Sequence, residues 1–90
     1  MSQAALTVML PSTLRHAQVM GWLASLRLPA QRGQTVVLDA SALTSFDSSA
    51  LACLIEVRRR LLALGASLQV TGLSERLQRL AQVYGLADLL

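Results

Sequence analysis

The sequence has few of the residues on which catalytic and metal sites usually depend. It contains one cysteine, Cys53, one histidine, His16, a single Phe, Tyr and Trp, and no lysine. One cysteine excludes an intramolecular disulfide and indicates a reducing compartment such as the cytosol. The same scarcity excludes a paired Cys/His ligand set, so we predict neither a bound metal nor a cofactor.

Motifs for catalysis and nucleotide binding are also missing. The sequence has no Walker glycine loop, no G-x-S-x-G elbow and no H-E-x-x-H. Its eight basic residues are all arginine, and the run at 58–60 would fan out over about 200° of a helix. Because few aromatic residues are available to stack on bases, we expect no nucleic-acid binding. We therefore predict that the protein is not an enzyme.

Apolar residues are abundant, at 53% of the chain against 14% charged residues. A length of 90 residues supports one domain, which we assign to residues 1–90. No apolar run approaches the ~18 residues of a membrane-spanning helix, so we expect no direct membrane insertion. Such a high apolar content predicts that part of the surface contacts a partner protein.

Strand-like and helix-like segments alternate along the chain. Apolar runs at 4–10, 35–40 and 67–72 are each followed by a segment with helical periodicity, the first two at 14–28 and 48–64. The continuous run at 35–40 is typical of a strand that is covered on both faces. This order predicts a small α/β domain with a mostly parallel sheet of three to four strands and a helix after each strand.

Capping residues mark the ends of the predicted helices. Ser12 or Thr13 is suited to cap the first helix and Asp47 or Ser48 the second. The third helix is predicted to begin after Ser74, and glycines at 65 and 85 are predicted to end the last two helices.

The segment "SFDSS" at 45–49 precedes the second helix, at the sheet edge where sites on such folds usually form. At 100° per residue, that helix carries two apolar arcs. We assign the first arc to the core: Cys53, Leu54, Val57, Leu61 and Leu64. The second arc either packs against neighbouring helices or forms a docking face with hydroxyls at its rim: Ser48, Leu51, Ala52, Ile55, Arg59 and Leu62.

Residues 34–90 resemble a STAS domain. The strand "VVLDAS" is followed by "DSSAL", where the family usually shows Asp-Ser/Thr-x-Gly-Leu, with Ala50 at the glycine position. By this pattern Ser48 takes the place of the phosphoserine of anti-anti-sigma factors and of the threonine of MlaB-type transporter subunits. The tail "VTGLSERLQRLAQVYGLADLL" is similar to MlaB-type tails. No acidic residue precedes Asp39, although sigma regulators carry one in the region that their kinase reads.

The resemblance implies a non-catalytic accessory subunit in the cytoplasm, peripheral to the inner membrane through its partner. Such a subunit would bind and stabilise the ATPase of an ABC transporter that moves phospholipid and maintains outer-membrane lipid asymmetry. The alternative is an anti-anti-sigma factor whose Ser48 is phosphorylated by an anti-sigma serine kinase. The residues predicted to bind the partner are Asp47, Ser48, Ser49, Leu51, Ala52, Ile55 and Arg59.

Overall fold

The computed structural model describes residues 6–28 and 31–86, and this part of the chain forms five strands and three helices. Residues 4 and 5 of the first predicted strand lie outside the described residues. The alternation of strand and helix along the chain is confirmed. The strands are β1 (Leu6–Met9), β2 (Thr13–Leu14), β3 (Thr35–Asp39), β4 (Ser45–Phe46) and β5 (Ser67–Thr71), and the helices are α1 (His16–Ser25), α2 (Ser48–Ala63) and α3 (Glu75–Val83).

Three strands form a parallel sheet in the order β1-β3-β5. Val36 in the central strand pairs with Leu6 on one side and with Leu68 on the other. The two-residue strands β2 and β4 form a separate parallel pair, which lies in the chain between a sheet strand and the helix that follows it. The predicted small α/β domain with a mostly parallel sheet is thus confirmed.

One face of the sheet carries the core. Val36 and Leu38 are fully buried, whereas Thr7 and Gln69 on the opposite face are exposed and Val37 is half-buried. The prediction that strand 35–40 is covered on both faces is therefore wrong. Both crossovers between parallel strands run in the same direction and are expected to be right-handed, so α1 and α2 lie over the same face and contact each other.

The first helix begins later than predicted. Thr13 does not cap it, because Thr13 pairs with Ser45 in the β2–β4 pair. α1 begins at His16, and its N-cap Arg15 donates its backbone N–H to Gln18 Oε1 at 3.1 Å. The predicted start at residue 14 is therefore wrong, because pairing with a distant segment holds that residue in a strand.

The predicted inward arc of α2 is mostly correct. Cys53, Leu54, Val57 and Leu61 are all buried. Leu64 is 45% exposed, so its assignment to the core is wrong. The helix ends at Ala63, and Gly65, with φ of 75°, turns the chain away and leaves Leu64 at the surface.

Candidate partner-binding site

The segment 45–49 links β4 directly to α2. The backbone N–H groups of Thr44 and Ser45 donate to the carbonyl of Ser12 at 2.9 and 3.0 Å, which ties this segment to the chain that precedes α1. Leu43 and Phe46 are buried on either side of these contacts. The start of α2 is thereby held in a fixed position beside the start of α1.

Asp47 caps α2 and also contacts α1. Its Oδ1 accepts the backbone N–H of Ser49 at 2.9 Å, and its Oδ2 accepts the backbone N–H of His16 at 3.2 Å. The bond from His16 is the main reason why the pKa of the Asp47 carboxyl lies below its usual value, and the bonds from Ser49 lower it further. Asp47 therefore holds two helix starts together, which confirms it as the cap of α2.

Ser48 is the first residue of α2 and is exposed. Its hydroxyl makes no hydrogen bond to any residue in the described part of the chain, and Asp47 Oδ1 is the group that accepts the backbone N–H of Ser49. Ser49 is half-buried and bonded to Asp47. The two serines therefore differ: Ser49 supports the cap, whereas Ser48 is available to a partner.

An exposed row of side chains continues from Ser48 along α2. We name it the outer stripe: Ser48, Ala52, Ile55, Arg59 and Leu62. Ala52 and Arg59 are exposed, Ile55 is half-buried and Leu62 is 53% exposed. The structure thus places five of the six residues of the second predicted arc at or near the surface.

Leu51 is the exception among the predicted partner-binding residues. It is only 1% exposed and belongs to the core cluster, so its side chain is not available for docking. Three residues on from Ser48, it lies about 60° around the helix, on the side that leads to the buried Leu54. Leu51 therefore packs against the rest of the domain, which was the alternative to docking for this arc.

A charged cluster on α2 was not predicted from the sequence. Arg59 donates to both oxygens of Glu56 at 2.7 and 2.8 Å, and Arg60 Nε donates to Glu56 Oε2 at 2.9 Å. Arg60 also donates to the carbonyl of Leu23 in α1 at 3.2 Å. Hydrogen bonds from the two guanidinium groups lower the pKa of Glu56 to about 2. The i,i+3 and i,i+4 spacing of Glu56, Arg59 and Arg60 could have predicted these ion pairs.

A groove lies between the start of α2 and the outer side of α3, with a volume of about 470 Å³. We name it the α2–α3 groove. On the α2 side it is lined by Phe46, Asp47 and Ser48. On the α3 side it is lined by Arg76, Arg79, Leu80, Val83 and Tyr84.

The Arg76 guanidinium lies 5.0 Å above the centre of the Phe46 ring, which joins the two sides of the groove. Phe46 and Arg76 are thirty positions apart in the chain, so no local pattern indicated this contact. The groove extends the surface around Ser48 onto a second helix.

The described residues offer little for catalysis. Cys53 is 1% exposed, and burial raises the pKa of its thiol to about 11, so the reactive thiolate is disfavoured. His16 contributes its backbone to the bond with Asp47. Residues 6–28 and 31–86 contain no group of three His, Cys, Asp or Glu side chains that could hold a metal ion. No helix within these ranges is both long and apolar enough to cross a bilayer.

Parallel β-α repeats, with an exposed serine at the start of the second helix, are consistent with a STAS-type domain. The family model described as "Mlab, STAS domain" matches residues 1–90, and the chain belongs to this family. The resemblance to STAS domains of the MlaB type is thereby confirmed. STAS domains are generally non-enzymatic. Searches of the curated proteins and of the solved structures gave no significant match.

Proposed function

We propose that this protein is a non-catalytic accessory subunit that binds and stabilises the ATPase of a phospholipid-transporting ABC complex. In this role it lies in the cytoplasm, attached to the inner membrane through its partner, and contributes to outer-membrane lipid asymmetry. The observation that carries the proposal is the outer stripe of α2, an exposed row that starts at Ser48, in a chain of the Mlab STAS family. The scarcity of catalytic groups supports a binding role.

The composition of the outer stripe suits protein docking. Ser48 and Ala52 are small and exposed, so a partner backbone can approach the first turn of α2 closely. Ile55 and Leu62 add apolar surface farther along the helix, and large exposed apolar residues typically mark an interaction face. Asp47 fixes the position of this helix start, so little conformational entropy would be lost when the partner binds.

The first test is affinity purification of the tagged protein from cytoplasm and membranes, with mass spectrometry of its partners. We expect an ABC ATPase to be recovered together with an unmodified Ser48 peptide. Ser48→Arg should abolish this recovery, because a long charged side chain would separate the two surfaces at their closest approach. Gln69→Arg is the matched control, since Gln69 is exposed on the face of the sheet opposite the core.

Circular dichroism must show that both variants remain folded. The proposal is wrong if Ser48→Arg binds the ATPase as well as Gln69→Arg does, or if no ATPase is recovered with the wild-type protein. If Ser48→Arg unfolds the domain, the residue is part of the fold and its assignment to the docking surface is wrong.

A phosphorylation switch is the second candidate function. It is favoured by the exposed Ser48 hydroxyl and by Arg76 and Arg79, which line the same groove. A phosphate on Ser48 would add about −1.5 to −2 charges beside these guanidinium groups. Recovery of an anti-sigma serine kinase, together with phosphate on the Ser48 peptide, would establish an anti-anti-sigma factor in place of a transporter subunit.

A further inference from the structure

The α2–α3 groove combines apolar side chains with unneutralised positive charge. Val83 is 80% exposed and Tyr84 is 56% exposed, and both are among the large hydrophobic residues that the described surface leaves in contact with solvent. Leu80 is half-buried between them and the core. A concave surface of this size, about 470 Å³, falls within the range of about 300–1,000 Å³ that is typical of ligand pockets.

The charge of the groove is positive. Within residues 6–28 and 31–86, Arg76 has no carboxylate at ion-pair distance and is held by its contact with the Phe46 ring. Arg79 approaches Glu75 only at 3.9 Å, and both side chains are largely exposed, so water screens this pair strongly. Asp47, an anion held by two backbone N–H groups, also lines the groove, so the lining carries two positive charges against one negative charge, a net charge of +1. Two guanidinium groups are therefore available to an incoming anionic group.

The groove is continuous with the docking surface proposed above, because Ser48 belongs to both. A partner seated on the first turn of α2 would have one edge directly over Arg76 and Arg79. An occupant must then match an apolar floor and a basic rim at the same time. A planar lipid surface fits a concave groove poorly, whereas a peptide segment can insert a side chain into it.

We infer that the α2–α3 groove binds an acidic segment of the partner ATPase, with an apolar side chain inserted against Leu80 and Tyr84 and flanking carboxylates paired with Arg76 and Arg79. This inference rests on the proposed function and specifies the chemistry of the partner. It predicts that binding has a salt-dependent component that originates in α3 as well as a contribution from the outer stripe of α2. Complementary charge at such a rim mainly affects the association rate and the choice of partner.

Charge reversal tests the inference directly. In titrations with the purified ABC ATPase that is recovered with the protein, Arg79→Glu should raise Kd about tenfold at low salt, with a smaller effect at high salt because ions screen the charges. Arg32→Glu is the matched control, with the same change in charge at an exposed residue. Arg32 lies beside Gly65, because a Cβ added to that glycine would be 3.1 Å from Arg32 Cγ. Gly65 follows the end of the 16-residue helix α2, so Arg32 lies about 24 Å along that helix from the groove. We expect no change in Kd for the control.

A photo-crosslinker at position 83 identifies the occupant. When Val83 is replaced with p-benzoylphenylalanine, the crosslinked ATPase peptide should contain Asp or Glu beside an apolar residue. A reversed charge in that peptide, Glu→Arg or Asp→Arg, should restore binding of the Arg79→Glu variant. A crosslink to lipid, or to a peptide without carboxylates, would overturn the inference.

The possible failures are distinguishable. If the ATPase binds and Ser48→Arg abolishes binding, but Arg79→Glu behaves like Arg32→Glu, then the acidic segment is wrong and the proposed function stands. If the wild-type protein does not bind the ATPase at all, both proposals are wrong. Sedimentation with vesicles that contain anionic lipid adds a third result. If Arg79→Glu weakens binding to the vesicles but not to the ATPase, the inference is also wrong.

Discussion

Alanine substitutions at Leu51 and Leu62 should separate the contribution of α2 to folding from its contribution to the proposed docking. Both are leucines on the same helix and in the same predicted arc, yet Leu51 is 1% exposed and Leu62 is 53% exposed. Truncation of a fully buried leucine to alanine typically lowers the free energy of unfolding by about 2–5 kcal/mol. For a domain of this size, each kcal/mol lowers Tm by about 4–8 °C, so Leu51→Ala should lower Tm by at least about 8 °C.

Leu62→Ala should behave in the opposite way. A surface substitution typically changes the free energy of unfolding by about 0.5 kcal/mol or less, so we expect a nearly unchanged Tm. Removal of an exposed apolar side chain from the outer stripe should instead weaken binding to the proposed ATPase partner. Thermal melts followed by circular dichroism, with binding titrations for each folded variant, measure both effects.

Equal Tm values for Leu51→Ala and the wild-type protein would refute this reasoning. Such a result would mean that α2 is rotated relative to its position here and that Leu51 contacts solvent or the partner. Conversely, a large loss of stability in Leu62→Ala would place Leu62 in the core and remove the apolar end of the outer stripe.

Two further predictions concern the fold around the site. Gly72 has φ of 73°, and a Cβ added to it would lie 2.8 Å from the backbone nitrogen of Ser41. Gly33 has a similar φ of 82°, but a Cβ added to it would have no described atom within 4 Å. Chemical denaturation should therefore show Gly72→Ala to be less stable than Gly33→Ala by about 1–3 kcal/mol, and equal stabilities would contradict the close approach. The pKa of Glu56 is lowered from 4.5 to about 2, so its pairs with Arg59 and Arg60 stabilise the fold fully above pH 4.5 and lose this effect as the pH falls through 2. Acid titration of Glu56→Gln should lack this part of the pH dependence, and a curve that matches the wild-type protein would show that the pairs do not stabilise the folded state.

Features with a local chemical cause were predictable from the sequence. Short acceptor side chains that precede helical periodicity identified Asp47 or Ser48 as the cap of α2, and the structure selects Asp47. Ser74 was identified in the same way, and its Oγ accepts the backbone N–H of Leu77 at 3.2 Å. Gly65 and Gly85 could be identified as helix ends, and both have positive φ. The order of strands and helices followed from periodicity, and the parallel sheet followed from that order.

Features made by distant segments were not predictable. The strands β2 and β4 have two residues each, too few to show a period, and they form only because Thr13 and Ser45 meet across thirty-two positions. The burial of Leu51 has a similar origin. Helical angles place it at the edge of the second arc that faces the first, and only the three-dimensional arrangement of the domain decides whether it is buried. The α2–α3 groove likewise depends on the contact between Phe46 and Arg76.

The division of roles between Asp47 and Ser48 would allow the proposed docking site to lie at this helix start without loss of stability. A helix start needs an acceptor for its free N–H groups, and Asp47 supplies it for α2 while a second oxygen serves α1. The next residue is then released from any capping role, and its exposed hydroxyl can change in size or charge with little effect on the fold. Substitutions at 47 should therefore affect stability first and binding only as a consequence. Substitutions at 48 should change binding of the proposed partner and leave stability nearly unchanged, which makes position 48 the place at which the proposed function is tested.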